Sequence, residues 1–506
     1  MRLFFALMLV LTAPAAAQTG PGRPEFELRL VAAVLTSAFT FIASRTLEPV
    51  TVEQVALWGL GSVTGLDPAL SVELRGGTLL MLRRGGQTIF QRGIAPSATG
   101  ELWGPAVAEI MSAAWDASDA VRRAGSQGVI TALFEEMLNH LDPYSRYTAP
   151  GAAVLDRERR SGDAGAGITI VRQGGVYTIT SVNQAGPGAD AGLVAGDRLT
   201  AVDDQPVQGE DLPTILSWIA GVEGTDVDLT IRSRDGRIRT VELERSVVPP
   251  ETVFAERRGT ILQIRISAFS ADTDQRLRQE LERGLEGPEG QRIRGLIIDL
   301  RGNRGGKLQT AAAAAELMLN AGVIATTEGR NANAAHVFRA GTNDLAEGRP
   351  IVILVDGRSA SAAEIMAAAL ADNGRAVVVG SATLGKGLVQ TIAPLPDGGE
   401  LFITWSRVLA PRGWPIQGLG VIPQVCTSQG PENTSVQLQS LARGTSRMAA
   451  AVQRERAARN PVAATEIINL RTPCPAADGR EADFTAARFL LGNDRAYEAA
   501  RILPPG

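Results

Sequence analysis

The chain has 506 residues, of which 44% are hydrophobic and 21% charged, with a net charge of −4. That length exceeds what one hydrophobic core serves, so two to four domains are expected, and the composition is globular rather than disordered. That net charge gives no basic field for nucleic acid, and no run of five or more like charges supplies one, so no nucleic-acid partner is expected.

The first segment sets the compartment. Arg2 precedes the apolar run 3–11, followed by Pro14-Ala15-Ala16-Ala17-Gln18. A basic start, an apolar core and an Ala-x-Ala exit make a secretory signal peptide over residues 1–17, cleaved after Ala17. The mature protein is therefore expected to be exported, periplasmic or extracellular. No cysteine follows the run to accept a lipid. A second apolar stretch, residues 30–43, is too short to span a bilayer and reads as a packed helix, so no transmembrane anchor is expected after cleavage. Cys426 and Cys474 are the only cysteines. An even pair in an oxidising compartment points to one disulfide, with two separate buried thiols as the alternative.

A helical region is expected over residues 18–150. It holds a short repeat, Gly65-Leu66-Asp67-Pro68 and His140-Leu141-Asp142-Pro143, each an Asp-Pro stop to a helical pattern. Residues 161–248 change to short strands and glycine turns. Strands are expected at 168–171, 176–182, 198–202 and 227–232, with short helices at 189–193 and 212–220, and Pro249-Pro250 closes the unit. Residues 251–425 alternate strands with helices, an α/β core. Strands are expected at 261–266, 295–300, 351–355, 376–379, 388–392 and 401–406, and helices at 274–285, 308–319 and 362–371. Residues 426–506 read as a helical, polar extension. The fold class is thus multidomain α/β, with a helical N-terminal region, a small β-rich domain, an α/β core and a helical C-terminal tail.

Ser361 stands between a buried strand and an alanine-rich helix, in Gly357-Arg358-Ser359-Ala360-Ser361-Ala362-Ala363-Glu364. Such a junction exposes a hydroxyl where unpaired N–H groups and the helix dipole favour an oxyanion. Ser361 as a simple helix cap, completed by Glu364 three residues on, is the structural alternative. Lysine usage favours chemistry. The chain has only two lysines, Lys307 and Lys386, and arginine cannot serve as a base, whereas a buried lysine can become neutral. Lys386, between Gly385 and Gly387 ahead of an apolar strand, suits a desolvated amine. In a strand beginning there, Lys386, Leu388 and Gln390 share one face, so Gln390 is placed to orient the amine.

Other chemistries fit less well. His140 and His336 are the only histidines. The first precedes a helix stop and the second falls in a polar loop, so neither a Ser-His-Asp triad nor a metal cluster is indicated. Residues 380–386 match G-x-x-x-x-G-K, but Gly387 stands where a P-loop needs a hydroxyl, and the next segment reads as strand. No metal, nucleotide or other cofactor is expected.

These residues resemble the carboxyl-terminal processing proteases, a family of tail-specific serine–lysine peptidases with a PDZ domain. Residues 359–364 resemble the nucleophile motif, and residues 380–390 the base motif, offset by the family's 25 positions (386 − 361). Asp299-Leu300-Arg301-Gly302-Asn303-Arg304-Gly305-Gly306 resembles a third motif, whose glycine turn, at Gly305 or Gly306, implies an oxyanion N–H alongside Ala362. Leu141-Asp142-Pro143-Tyr144-Ser145, Ile266-Ser267-Ala268-Phe269 and residues 411–418 match further, so the likeness covers about residues 105–425. Ala363, Ser381-Ala382 and Gln424 depart from the usual residues without removing a reacting group. The unit at 161–248 resembles a PDZ domain, with Gly165, Ala166, Gly167 and Ile168 as its carboxylate-binding loop. A third family residue maps to Asp372, but eleven residues of helix at about 1.5 Å each place it roughly 16 Å from Ser361, which implies a structural role.

The resemblance implies a serine endopeptidase cutting exported proteins near their C-termini, with Ser361 as nucleophile, Lys386 as base and Gln390 as its support. Protein or peptide tails with free C-termini are the expected partners, delivered or sensed by the PDZ unit. An adaptor or an oligomer is compatible with this. A non-catalytic PDZ scaffold that binds protein C-termini is the alternative.

Overall fold

The computed structural model describes residues 25–161, 163–183, 186–341 and 343–502. The expected signal peptide lies outside them. The chain divides into two compact units, residues 1–40 with 51–141, and residues 41–50 with 142–506.

The first unit carries the helices Val52–Leu60, Ser62–Leu66, Gly100–Ala117 and Asp119–Leu138. It also holds an antiparallel meander, Leu70–Arg75, Leu79–Arg84 and Gln87–Gly93, which adds to the helices expected there. The last of these strands is exposed along nearly its whole length, so it leaves little hydrophobic signal. Asp67, the residue of the first Asp-Pro stop, accepts the Ser118 hydroxyl at 2.6 Å. Ser118 also accepts the N–H groups of Ala120 and Val121 as the cap of the next helix. Among the described residues, Leu28–Arg45 is the one helix long and apolar enough to cross a membrane by length and composition. Its Val31, Val34, Leu35, Ala38 and Phe39 are wholly buried, as in a packed helix.

In the second unit, the strands order as Ile238–Glu244, Asp226–Arg232, Arg198–Val202, Val176–Val182 and Ile168–Gln173, all antiparallel. Alternation drives this sheet: Val227, Leu229 and Ile231 are buried while Asp226, Asp228 and Arg232 are exposed. The helix Leu212–Ile219 packs Ile215 and Ile219 into the same core.

The α/β core has a six-stranded sheet in the order Val253–Arg258, Ile261–Ile266, Gly295–Asp299, Ile351–Val355, Ala376–Gly380, Val425–Cys426. All pairs are parallel except the first. Every residue of Gly295–Asp299, Ile351–Val355 and Ala376–Gly380 is buried, because parallel strands are covered on both faces. One face sends Leu296, Ile298, Ile353 and Val378 against the helices Thr273–Leu285, Leu308–Glu316 and Ala362–Asp372. The other sends Ile297, Val352, Leu354 and Val377 against Leu438, Leu441, Leu490 and Tyr497 of the C-terminal helices. The C-terminal extension therefore supplies one wall of the core. A second sheet joins His336–Ala340, Gly322–Glu328, Glu400–Leu409 and Leu388–Pro394, with Arg146–Thr148 added beside Glu400–Leu409. His336, expected in a polar loop, instead opens an edge strand.

Three consecutive loops, residues 300–307, 356–361 and 381–387, leave the carboxyl ends of three adjacent parallel strands. In open α/β sheets this is the end where binding crevices form.

Candidate active site

After Ile351–Val355 the chain turns around the buried Asp356 carboxylate. Its Oδ1 accepts the N–H groups of Gly302 at 3.0 Å, Arg358 at 3.0 Å and Ser359 at 2.9 Å. Ser361 comes next, immediately before the helix Ala362–Asp372, with φ 56° and ψ −117°. A residue with a β-carbon is seldom found there, and such outliers gather at functional sites. The surrounding structure must hold this turn in place.

Glu364, one turn into the helix, does much of that holding. It is wholly buried. Its Oε2 accepts the Ser361 N–H at 2.7 Å and the Lys386 N–H at 2.9 Å. Its Oε1 accepts the Gly385 N–H at 2.6 Å and the Thr383 hydroxyl. Thr383 itself accepts the Val421 N–H at 2.8 Å, so its own proton is free to point at Glu364. Burial pushes the Glu364 carboxyl up from its ordinary value, while these four donors pull it down. Sequence reasoning saw in Glu364 a partner for a helix cap. It makes that bond, and it also joins the Ser361 turn to the Lys386 loop.

Lys386 is half-buried in the cleft. Desolvation lowers its pKa, the nearby Arg146 charge adds to the fall, and Glu364 and Asp142 oppose it. The Tyr144 ring centroid lies 5.0 Å from its Nζ. Gln390, expected to orient the amine, instead donates its side-chain amide to Thr404 Oγ1 at 3.1 Å and to the Leu388 carbonyl at 3.3 Å. The reason is local: the strand begins at Leu388, and its register shifts between Val389 and Gln390. Val389 pairs with Ser406 but Gln390 with Thr404, so Trp405 of the partner strand is the extra residue and Thr404 is brought opposite Gln390. Gln390 still lines the same cleft as Ser361 and Lys386. Thr404 donates in turn to Asp142 at 2.8 Å, which also accepts the N–H groups of Tyr144 and Ser145.

The glycine turn packs directly on Ser361. Gly305 has φ 98°, and a β-carbon there would fall 2.8 Å from Ser361 Cβ and 3.0 Å from the Ala362 nitrogen. Gly306, at φ 146°, passes so close to Phe269 that a β-carbon would lie 2.1 Å from its carbonyl oxygen. Only glycine fits either position. The Gly305 N–H is occupied by Asn303 Oδ1 at 2.8 Å, which sets it apart from Gly306 as an oxyanion donor. Asn303 is held by its own amide on the Ile266 carbonyl, and its carbonyl accepts the Ala360 N–H.

The C-terminal extension, read in sequence only as helical and polar, grips all three loops. The Ala477 carbonyl accepts the Gly357 N–H and the Ser381 hydroxyl, each at 2.8 Å, and its N–H donates back to Ser381 at 3.0 Å. Arg471 donates to the Thr383 carbonyl at 2.7 Å, and Asp483 accepts from Arg301 at 3.0 Å. A disulfide between Cys426 and Cys474 fixes this segment to the end of the core sheet. Asp372, at the far end of the Ser361 helix, is buried between Trp414 Nε1 at 2.7 Å and Arg456 Nε at 3.0 Å, a packing arrangement.

The three loops open on a cleft of about 810 Å³ lined by Ser361, Lys386, Gln390, Gly305 and Gly306. A separate groove of about 550 Å³ runs along Gly165, Ala166, Gly167 and Ile168, opposite Leu216 and Ile219, with Leu155 at its edge. The loop 381–387 contains no helix and leads into the strand Leu388–Pro394, unlike a P-loop.

Residues 260–427 match the model of peptidase family S41, and residues 178–233 match the PDZ domain. Over 306 residues the chain is 33% identical to the carboxy-terminal-processing protease of Bartonella bacilliformis, an alignment covering 60% of this chain and 70% of that protein. It is 30% identical over 314 residues to a probable CtpA-like serine protease of Staphylococcus epidermidis, covering 61% of this chain and 63% of that protein. A solved photosystem II D1 C-terminal processing protease aligns at 24% identity and a TM-score of 0.37, over 74% of this chain and 92% of that one. With its site geometry and its 70% coverage of the Bartonella relative, the chain belongs to the carboxy-terminal-processing proteases of peptidase family S41, a family of serine-type peptidases.

Proposed function

We propose that the chain is an endopeptidase that cuts exported proteins near their C-termini, with Ser361 as nucleophile and Lys386 as general base. The observation that carries this reading is the Glu364 carboxylate. It holds the strained Ser361 turn and the Lys386 backbone at once, in a cleft where burial lowers the pKa of Lys386. Neutral Lys386 takes the Ser361 proton as the oxygen attacks the peptide carbonyl. The N–H groups of Ala362 and Gly306 receive the oxyanion. The lysine ammonium then returns its proton to the leaving amine, and an acyl-enzyme remains for water to hydrolyse. Gln390 fixes the strand beside Lys386 through Thr404 and Asp142. Gly165 to Ile168 hold a substrate carboxylate, while the peptide adds as a strand beside Ile168–Gln173. The disulfide supports export, because such bonds persist in oxidising compartments.

The test is a serine-directed activity probe on purified protein, with mass mapping of the adduct. Labelling at Ser361 in the wild type, absent from Ser361→Ala, is the expected result. A folded wild type that takes no label, or takes it elsewhere, overturns the reading and leaves a PDZ scaffold.

A further inference from the structure

The cleft beside Ser361 is charged with one sign. Its walls are apolar, from Phe269, Leu308, Ile365, Leu388 and Val408, and its ionisable residues are Arg146, Arg304, Lys307, Lys386 and His336. Among the described lining residues there is no aspartate or glutamate. Composition does not explain this, since the chain holds 54 acidic residues against 50 basic ones. The nearby carboxylates Glu364 and Asp142 act on Lys386, where they favour the charged amine, and neither lines the cleft. Glu364 is buried under four donors, and Asp142 is engaged by Tyr144, Ser145 and Thr404. Arg146 has Asp156 at 3.7 Å and lies over the Phe402 ring.

Arg304 and Lys307 differ from Arg146. Both are exposed, and among the described residues neither side chain has a hydrogen bond or an ion pair. They flank Gly305 and Gly306, whose backbone is fixed by the Phe269 N–H on the Gly305 carbonyl at 3.0 Å and by the Lys307 N–H on the Phe269 carbonyl at 2.8 Å. Two unpaired cations thus flank in sequence the glycine turn that packs on Ser361, and both line the cleft. Lys307 is also the second of the chain's two lysines, and the dyad leaves it without a role.

We infer that Arg304 and Lys307 are specificity-determining residues that read a substrate carboxylate within a few residues of the scissile bond and reject a cation there. The carboxylate is an aspartate or glutamate side chain, or the free terminus itself. Cation and carboxylate at contact distance lie well inside the Debye length of about 8 Å at physiological salt, and exposed pairs of this kind change equilibria by about 2- to 5-fold each. This inference rests on the proposed use of the cleft by substrate.

The experiment uses the full chain and end-blocked reporter peptides that carry Glu, Gln or Lys at successive positions around the cut. A matched pair with free and amidated C-termini forms a second arm. The expected order of kcat/KM at one or more positions is Glu over Gln over Lys, with about 10-fold between the extremes, narrowing at high salt. In the double variant Arg304→Gln, Lys307→Gln the Glu-to-Gln ratio falls to near one. Because ratios are compared, a general loss of activity in the variant does not obscure the result. Loss of the free-acid preference in the same variant assigns terminal carboxylates to the cleft, and its persistence assigns them to the PDZ groove. Binding of the same peptides to Ser361→Ala gives a readout independent of turnover, and there too Glu should exceed Gln. A Lys peptide cut as well as its Glu twin, or a Glu preference that survives the double variant, overturns the inference. Failure of the wild type to label at Ser361 is the separate failure of the protease reading.

Discussion

The core sheet and the PDZ sheet are built on opposite plans. In the core, Gly295–Asp299, Ile351–Val355 and Ala376–Gly380 are buried at every residue, and the loops beyond them close on buried polar joints: Glu364, Asp356 and Asn303. In the PDZ sheet the strands alternate, and the groove is bordered by exposed apolar side chains, Leu216 at 42% and Leu155 at 54%. Among the described residues, side-chain ties from the PDZ unit to the chain beyond Val248 include Asn183 to the Pro249 carbonyl at 2.9 Å, Ser181 to Glu251, and Arg276 to Asn183. Proton transfer and acyl transfer tolerate little misplacement, and the backbone that carries Ser361 and Lys386 is tied at both residues to one carboxylate. Recognition of an added strand needs an open edge. Rigidity here matches the chemistry of each region.

The largest effect that would break this comparison lies at Lys386. Lys386→Arg retains the charge but cannot become neutral, so acylation should fall by about 10²- to 10⁴-fold, the usual worth of a general base. On the proposed mechanism the neutral amine is the active form, so kcat/KM should rise with pH as Lys386 loses its proton. Burial moves that limb below the value of a free lysine. A pH–rate profile with no rising limb below the free-lysine range, or an active Lys386→Arg, would show that the core does not use this base.

Next in size is Glu364→Gln. The amide brings two donors to a site already filled by donors, leaving buried N–H groups unsatisfied at about 1–3 kcal/mol each. The Ser361 turn and the Lys386 loop lose their common anchor, so kcat should drop more than KM rises, by about 10²-fold. Thermal unfolding and steady-state kinetics measure both. A stable variant with full kcat would mean the polar joint is packing alone. Smaller again is the disulfide. It should keep Cys426 and Cys474 from alkylation until a reductant is added. Cys474→Ser should cost about 2–4 kcal/mol of stability by loop closure and lower kcat a few-fold, because the segment it fixes holds Gly357, Ser381 and Thr383. Free thiols in native exported protein would remove this layer of the comparison.

Much of the core could be read from the sequence, because fully buried strands are continuous apolar runs: Ile261–Ile266 and Ile351–Val355 form over the stretches expected. What was missed is edge and surface structure. Val253–Arg258 and His336–Ala340 lie at sheet edges and are largely exposed, so their alternation is weak. At the site, Ser361 and Lys386 stood out by motif and by lysine scarcity, and they meet in one cleft. The joints between them did not. Glu364 reaches donors 19 to 22 residues away, and Ala477 acts through main-chain atoms, which carry no residue signature. The pairing of Gln390 with Thr404 depends on a bulge at Trp405 of the partner strand, which periodicity within one segment cannot reveal.

The smallest effect tests the open half of the comparison. The PDZ unit precedes the core in sequence and is tethered through Pro249 and Pro250, which also line its groove. It can therefore deliver tails to the cleft or change the cleft's competence. A ligand shifts an equilibrium between two arrangements only by its differential affinity for them. In the proposed role of Gly165 to Ile168 as the carboxylate loop, such a difference would arise there, since their N–H groups would gain a charged acceptor when a free carboxylate docks. A non-cleavable peptide with apolar end residues and a free carboxylate should therefore raise cleavage of a separate, end-blocked reporter by about 2- to 5-fold, which corresponds to roughly 0.4–1 kcal/mol of coupling. Its amidated twin should do so much less. Groove-filling substitution Gly167→Val, at φ 68° and with Val248 close by, should abolish the stimulation while Ser361 still takes the serine probe. Equal stimulation by acid and amide would separate the effect from carboxylate capture. Simple competition by the free acid would reduce the PDZ unit to delivery, and the two regions would then be coupled only through the substrate they share.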